Sequence, residues 1–176
     1  DNQAYNIQGL DTDFNSQTAT GLLNGTGVVN VDGTWSRVFR AFNDGATDFN
    51  GDINIHASGD DSTSYAKILS GNNQTLMAVY TVPASTTGYL IKYEASAQNT
   101  ASATDIGFSL YLKTREYGKV FKVKEVTSIS TKHSHDQDFP VPLVLQPKTD
   151  VIVDIVSANA NNGAVNADFS IALHSS

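Results

Sequence analysis

The sequence predicts an all-β protein, an antiparallel β-sandwich of jelly-roll-like type with an irregular N-terminal arm, and three observations lead to this expectation. Short runs of alternating polarity are rich in β-branched and aromatic residues, as is typical of half-buried strands. Segments rich in Gly, Asn and Ser separate these runs at intervals of about ten residues, a spacing typical of sandwiches and barrels. No run of ten or more residues has the apolar spacing of an amphipathic helix.

The strand patterns are clearest in the second part of the chain. They predict strands over residues 75–82, 89–95, 107–113, 119–126, 151–157 and 167–173. Residues 83–88 and Tyr117-Gly118 are interpreted as hairpin turns, and residues 159–163 as the loop between the last two strands. The side chains expected in the core are Phe108, Leu110, Leu112, Val153, Ile155, Phe169 and Ile171.

The first seventy residues are less regular. Strands are expected over residues 4–9, 27–31, 35–42 and 51–57, with loops rich in Gly, Asp and Asn between them. We therefore expect residues 1–33 to form an N-terminal arm or edge strands. Residues 34–176 are expected to form the sandwich body, with one domain overall.

Composition narrows the possible functions. The 176 residues include no Cys, so disulfides and thiolate metal sites are excluded. No apolar stretch approaches the length that spans a membrane. The net charge of −7 argues against generic nucleic-acid binding, which needs a positive surface. Residues 1–61 hold nine Asp against two Arg, so this acidic third either meets a basic partner or simply keeps the protein soluble.

The segment from His133 to Asp138 (HSHDQD) is the most site-like cluster. On a strand, His133 and His135 would project from one face, as two imidazole metal ligands can. Asp136 and Asp138 would project from the other face, which weakens a four-ligand interpretation. The simpler alternative is a polar strand or loop face.

The residues Asp44, Asp48, Asn50 and Asp52 suggest a calcium loop. Residues 48–52 match the start of an EF-hand loop, but the Gly and Glu expected at its sixth and twelfth positions are Ile53 and Gly59. A calcium site of another type stays possible. The simpler alternative is that these side chains form Asx turns.

Motifs for catalysis are absent from the sequence. It contains no G-x-S-x-G nucleophile elbow, no phosphate-binding loop and no dinucleotide-binding glycine motif. Paired carboxylates of a glycosidase stay open at this point. We expect a protein that is not an enzyme and that needs no cofactor or metal. Lys119, Lys122 and Lys124 either bind an anionic neighbour or protect an edge strand.

Several segments resemble small virion structural proteins of marine tailed phages. They are GNNQTLMAVYTVPA at residues 71–84, RVFRA at 37–41, GKVF at 118–121, FPVPL at 139–143 and KTDV at 148–151. Together they span about residues 35–175. The chain departs from the family at Ser85, where a Gly is usual; Gly88 is the expected substitute for that turn.

The resemblance implies a virion component, and among virion positions we favour a capsid decoration or cement protein on the capsid exterior. The implied partners are the major capsid protein and further copies of the chain, with a trimer favoured. Neither nucleic acid nor a membrane is an expected partner. The alternative function is a head-fibre or tail domain that binds host-surface glycans, as a carbohydrate-binding module does.

Overall fold

The computed structural model describes residues 2–60, 62–99, 106–131, 133–159 and 163–175. Within these residues every regular element is a β-strand, all pairings are antiparallel, and no helix occurs. The predicted all-β antiparallel fold is therefore confirmed. The strands are β1 Ala4–Leu10, β2 Ser16–Leu22, β3 Arg37–Asn43, β4 Ile53–Ile55, β5 Ala66–Ile68, β6 Val79–Thr81, β7 Thr86–Asn99, β8 Gly107–Arg115, β9 Lys122–Ser130, β10 Ser134–Leu145, β11 Asp150–Ala158 and β12 Gly163–Ser175.

The chain divides into two compact units, residues 1–77 and 78–176. From the sequence we expect one domain overall, with an arm or edge strands over residues 1–33; in the structure β1 is the central strand of a sheet. The described part of the first unit contains β1 to β5, and that of the second contains β6 to β12.

The first unit is built around a three-stranded sheet in the order β2-β1-β3. β1 is its central strand, and Tyr5, Ile7 and Leu10 on it are buried. Gly9 is required here, because a Cβ at this position would lie 2.0 Å from the Arg37 carbonyl oxygen, where the β1–β3 register shifts. β4 and β5 form a two-stranded ribbon, and the unit's core comprises Tyr5, Ile7, Ala41, Phe49 and Ile68.

The second unit is a β-sandwich of two sheets, in the orders β10-β7-β12 and β6-β11-β8-β9. Buried side chains of both sheets form one core, which comprises Val82, Leu90, Tyr93, Ala95, Ile106, Phe108, Leu110, Leu112, Ile129, Leu145 and Val151. The predicted burial of Phe108, Leu110 and Leu112 is confirmed. Val153, Phe169 and Ile171 are partly buried and pack against this core.

The expected burial of Ile155 is wrong, since 54% of this residue is exposed. Its partner on β8 is the buried Leu110, so the strand register puts Ile155 opposite a core position. However, β6 pairs with β11 only as far as Ile152. Beyond that residue β11 forms the edge of its sheet, and no other strand that the structure describes lies beside Ile155 on this edge.

Other boundaries differ from the sequence-based expectations. The strand expected over residues 75–82 is limited to β6, and residues 27–31 form no strand. The 83–88 segment is not a hairpin turn, because β6 and β7 belong to different sheets. β8 and β9 do form the expected hairpin. Within the predicted loop at 159–163, residues 160–162 lie outside the described residues.

Ser85 takes over the role expected of Gly88. Its φ of 58° lies in the left-handed region that glycine favours, whereas Gly88 has no positive φ. The residue with the strained backbone in this turn is therefore Ser85. The expectation that Gly88 supplies the turn is wrong.

Candidate functional site

The two histidines of the predicted cluster occupy different environments. His133 precedes β10, and its Nδ1 lies 3.1 Å from the Ser130 hydroxyl oxygen. His135 lies within β10, and its ring packs against the Tyr93 ring with 5.5 Å between centroids. In the part of the chain that the structure describes, no three His, Cys, Asp or Glu side chains are grouped as metal ligands would be.

The interior of the second unit contains unpaired polar atoms of Tyr93, Thr127 and His135. The Tyr93 hydroxyl, Thr127 Oγ1 and His135 Nε2 are buried, and among the described residues none has a hydrogen-bond partner. Burial raises the pKa of the Tyr93 phenol. These atoms carry a desolvation cost that hydrogen bonds do not offset.

The four residues of the predicted calcium loop do not converge either. The Asp48 carboxylate accepts a hydrogen bond from Asn73 Nδ2 at 2.7 Å. Asp52 pairs with Lys67 at 2.7 Å and accepts the Ser70 N–H. The Lys67 ammonium and the Ser70 amide hold the pKa of Asp52 below its usual value. Asp44 and Asn50 are exposed, so the structure does not bring the set together as an ion cage.

Asn73 organises this loop, a role that the sequence analysis missed. Its backbone has a φ of 57°, and its side chain contacts three residues. Nδ2 donates to Asp48, while Oδ1 accepts the Phe49 N–H at 3.0 Å and Asn43 Nδ2 at 3.2 Å. Because Phe49 is buried, Asn73 links the loop to the core of the first unit. An Asn that follows a Gly-Asn turn was the only sequence signal.

The turn between β8 and β9 presents aromatic rings together with cationic groups. The Arg115 guanidinium lies 4.5 Å from the centre of the Phe121 ring, and Lys148 Nζ lies 5.4 Å from that of Tyr117. Tyr117 is two-thirds exposed. Such cation–π pairs orient the rings while leaving them accessible. In the sequence, Tyr117 is recognisable only as part of a turn.

Lys122 and Lys124 are exposed on β9, an edge strand of its sheet. This is the arrangement expected of edge protection, since a charged side chain on an edge discourages pairing with another chain. Lys119 lies before β9 in the turn, where its N–H donates to the Glu116 carbonyl.

β12 is also an edge strand, but unlike β9 it contains no Lys. This strand of 13 residues pairs with β7 along its whole length and is the last strand of its sheet. Its sequence, GAVNADFSIALHS, has one Asp as its only acidic residue and contains no Lys, Arg or Pro. The side chains that face the core are only partly buried: Val165, Ala167, Phe169 and Ile171.

No family model, curated protein or solved structure matches the chain. Among the described residues, no helix has the length and apolarity needed to cross a membrane.

Proposed function

We propose that the chain is a non-enzymatic virion structural protein, a capsid decoration protein that binds the major capsid protein on the capsid exterior and stabilises the shell. The observation that carries this proposal is the division of charge between the two units. Residues 1–77 hold three Lys and Arg against nine Asp, a net charge of −6. Residues 78–176 hold eight basic against nine acidic residues, a net charge of −1. An acidic unit suits a basic surface of a capsid protein.

The acidic residues of the first unit fall into two groups. Asp11 and Asp60 accept hydrogen bonds within their own turns, and Asp52 pairs with Lys67. By contrast, Asp13, Asp32 and Asp44 are exposed, and the described structure shows no hydrogen bond or ion pair of their carboxylates. These three carboxylates can meet a partner without breaking a contact that folds the unit.

The folded sheet of the first unit, with the order β2-β1-β3, suits a preformed binding surface. The sequence suggests an arm over residues 1–33 that gains order mainly from its partner. β1 is central in its sheet, so the contact surface is the outside of a folded unit rather than a strand that orders on binding. A preorganised surface loses less conformational entropy when it binds.

The second unit supplies a rigid body in this proposal. Its chain crosses between the two sheets at every connection except that from β8 to β9. We assign this order to a jelly roll with seven strands, one fewer than the usual eight. The missing strand would lie beside β12 and complete a second four-stranded sheet.

Charge-neutralising variants test the acidic contact. Asp13→Asn with Asp44→Asn should weaken binding to shells that lack the chain and reduce the dependence of that binding on salt. The control is Glu116→Gln with Asp138→Asn, which makes the same change of charge in exposed residues of the second unit. Equal loss in both double variants would show that net charge alone matters and would remove the support for an acidic docking face.

A count of copies tests the decoration role itself. Quantitative mass spectrometry of purified particles that contain the chain should give hundreds of copies per particle. A count of only a few copies would contradict decoration of the shell and favour a fibre or tail position. Shells stripped of the chain should also open at a lower temperature than decorated shells.

The second candidate function is binding of host-surface glycans. The exposed ring of Tyr117, in the same turn as Phe121, favours it, because aromatic faces offer a large contact area at little entropic cost. Tyr117→Ala should then abolish binding to a glycan array. An unchanged array profile in this variant would remove the support for glycan binding at the turn.

A further inference from the structure

The four outer strands of the two sheets of the second unit differ in how they discourage pairing with another chain. β6 has only three residues, and β9 carries exposed Lys122 and Lys124. β10 contains Pro140 and Pro142 at the point where its register against β7 shifts. Short length, Lys, Pro and irregular register are the devices by which natural edge strands avoid such pairing.

β12 is not short and contains neither Lys nor Pro. Its pairing with β7 shifts only through an extra residue on β7, Ile91. Its core-facing row is incompletely covered, whereas Leu90 and Tyr93 on β7 are 0% exposed. The part of β11 beyond Ile152 is also an edge without a neighbouring strand on one side. It is less suited to pairing than β12, because it is short and its register against β8 shifts after Ile155. Backbone donors and acceptors and a half-covered apolar row thus lie together along β12.

We infer that β12 pairs antiparallel with β12 of a second copy of this chain, across a twofold axis at Ile171. Residues directly opposite each other in an antiparallel pair project from the same face. Pairing about any single residue of β12 therefore places the apolar row of one copy beside that of the other. The two three-stranded sheets become one continuous sheet of six strands.

The axis at Ile171 is chosen by the side chains that it brings together. On the outer face, Asp168 lies opposite His174 of the second copy, and this pair occurs twice by symmetry. On the core-facing side, Phe169 lies opposite Leu173, which is 48% exposed in the single chain. An axis at Asp168 would instead place two carboxylates opposite each other, which is destabilising.

The inference goes beyond the proposed virion role and does not depend on it, because it concerns the isolated chain. It specifies two copies, whereas the resemblance to phage proteins implied three. Light scattering across a concentration series should show a monomer that converts to a dimer. A mass that stays monomeric at every concentration, or that reaches three copies, overturns the inference.

Cross-linking tests the register, and the chain is well suited to it because it contains no Cys. The axis places Ser170 opposite Ala172, and directly opposed Cβ atoms lie about 5 Å apart, close to the span of a disulfide. Ser170→Cys mixed with Ala172→Cys should form a linked heterodimer. Ser170→Cys mixed with Ser128→Cys is the control, since Ser128 is an exposed serine on the edge strand β9. Equal rates in the two mixtures overturn the inference.

Charge reversal gives a second readout that does not depend on a thiol. Asp168→Lys should weaken the dimer, by up to about fivefold for each of the two symmetric pairs. Adding His174→Asp to that variant should restore the dimer, because the lysine introduced at position 168 and the aspartate introduced at position 174 then form a pair of opposite charges. Circular dichroism of each variant verifies the fold. A folded double variant that stays as weak as Asp168→Lys contradicts the pairing of residues 168 and 174.

Discussion

Arg115 and Asp150 form a two-point ion pair between neighbouring strands β8 and β11. Nε and Nη2 of Arg115 lie 2.7 Å and 2.5 Å from Oδ2 of Asp150. The other carboxylate oxygen accepts the Thr81 hydroxyl at 2.6 Å, and Asp150 is 5% exposed. One buried carboxylate therefore connects three adjacent strands, β6, β11 and β8.

Removal of this carboxylate should be costly. Asp150→Ala leaves a cation and a buried hydroxyl without their partner, and we expect a loss of about 2 to 4 kcal/mol in the free energy of unfolding. Asp154→Ala is the matched control, since Asp154 pairs with Lys113 at 2.6 Å but its side chain is 42% exposed. The control should cost no more than about 1 kcal/mol in urea unfolding. Similar costs would contradict the role of Asp150 as the link.

Leu112 on β8 and Ile155 on the neighbouring strand β11 should differ in their response to truncation. Leu112→Ala removes a fully buried side chain and should cost about 2 to 5 kcal/mol. Ile155→Ala removes a side chain that is mostly in solvent and should cost about 0.5 kcal/mol. Both values come from urea unfolding of the isolated chain. A large loss at Ile155 would show that another surface covers this part of β11.

Tyr93 should contribute to stability in a manner that depends on pH. Burial raises its pKa above the ordinary 10.0 in the folded state, so the unfolded chain releases this proton first. The contribution of protonated Tyr93 to the free energy of unfolding is complete below about pH 10. It is lost as the pH rises through the pKa that Tyr93 has in the folded state. Tyr93→Phe should therefore lose less stability than the parent between about pH 8 and pH 11. Parallel curves would contradict the assignment.

The loop at residues 44–52 should depend on Asn73 and not on an ion. Asn73→Ala removes three hydrogen bonds and places Ala at a positive φ, so we expect a loss of about 1 to 3 kcal/mol. Asn73→Gly keeps the backbone angle accessible, and the difference between the two variants isolates the backbone cost. EDTA should leave the melting temperature unchanged. Destabilisation by EDTA that calcium reverses would restore the calcium interpretation.

Ser85→Gly should stabilise the chain. A side chain in the left-handed region costs about 1 kcal/mol, which the greater flexibility of Gly in the unfolded chain partly cancels. We expect a net gain of about 0.5 kcal/mol. Ser85→Val is the contrasting variant and should destabilise, since a branched side chain tolerates this angle least. A loss on Ser85→Gly would show that the Ser side chain has a role of its own.

The sequence was most informative where one face of a strand is buried against the core. Alternation identified β8 and β12, and the burial of Leu110 and Leu112 followed from it. β2 was missed because its residues, SQTATGL, contain little apolar surface and its outward positions are exposed. β10 was interpreted as a strand only around its histidines, since Pro140 and Pro142 argue against a central strand.

The candidate sites depend on partners that sequence spacing does not reveal. Neither the contact of His135 with Tyr93 nor that of Asp48 with Asn73 could be inferred, because each joins strands or loops that are distant in the chain. The exposure of Ile155 depends on where β6 begins, which local alternation does not determine. Edge positions are a property of the whole sheet, so the open side of β12 became visible only with the strand order.

The sheet that contains β7 has two edge strands of different kinds. Pro140 and Pro142 on the edge strand β10 discourage pairing with a further strand, whereas the edge strand β12 contains no Pro. In a twofold contact through β12, the unprotected edge strand of each copy becomes paired. The outermost strands of the joined sheet are then two copies of β10. Each of these resists further addition. Association by this route is self-limiting: it ends at a closed pair, whereas a sheet open on both sides could polymerise into a fibre.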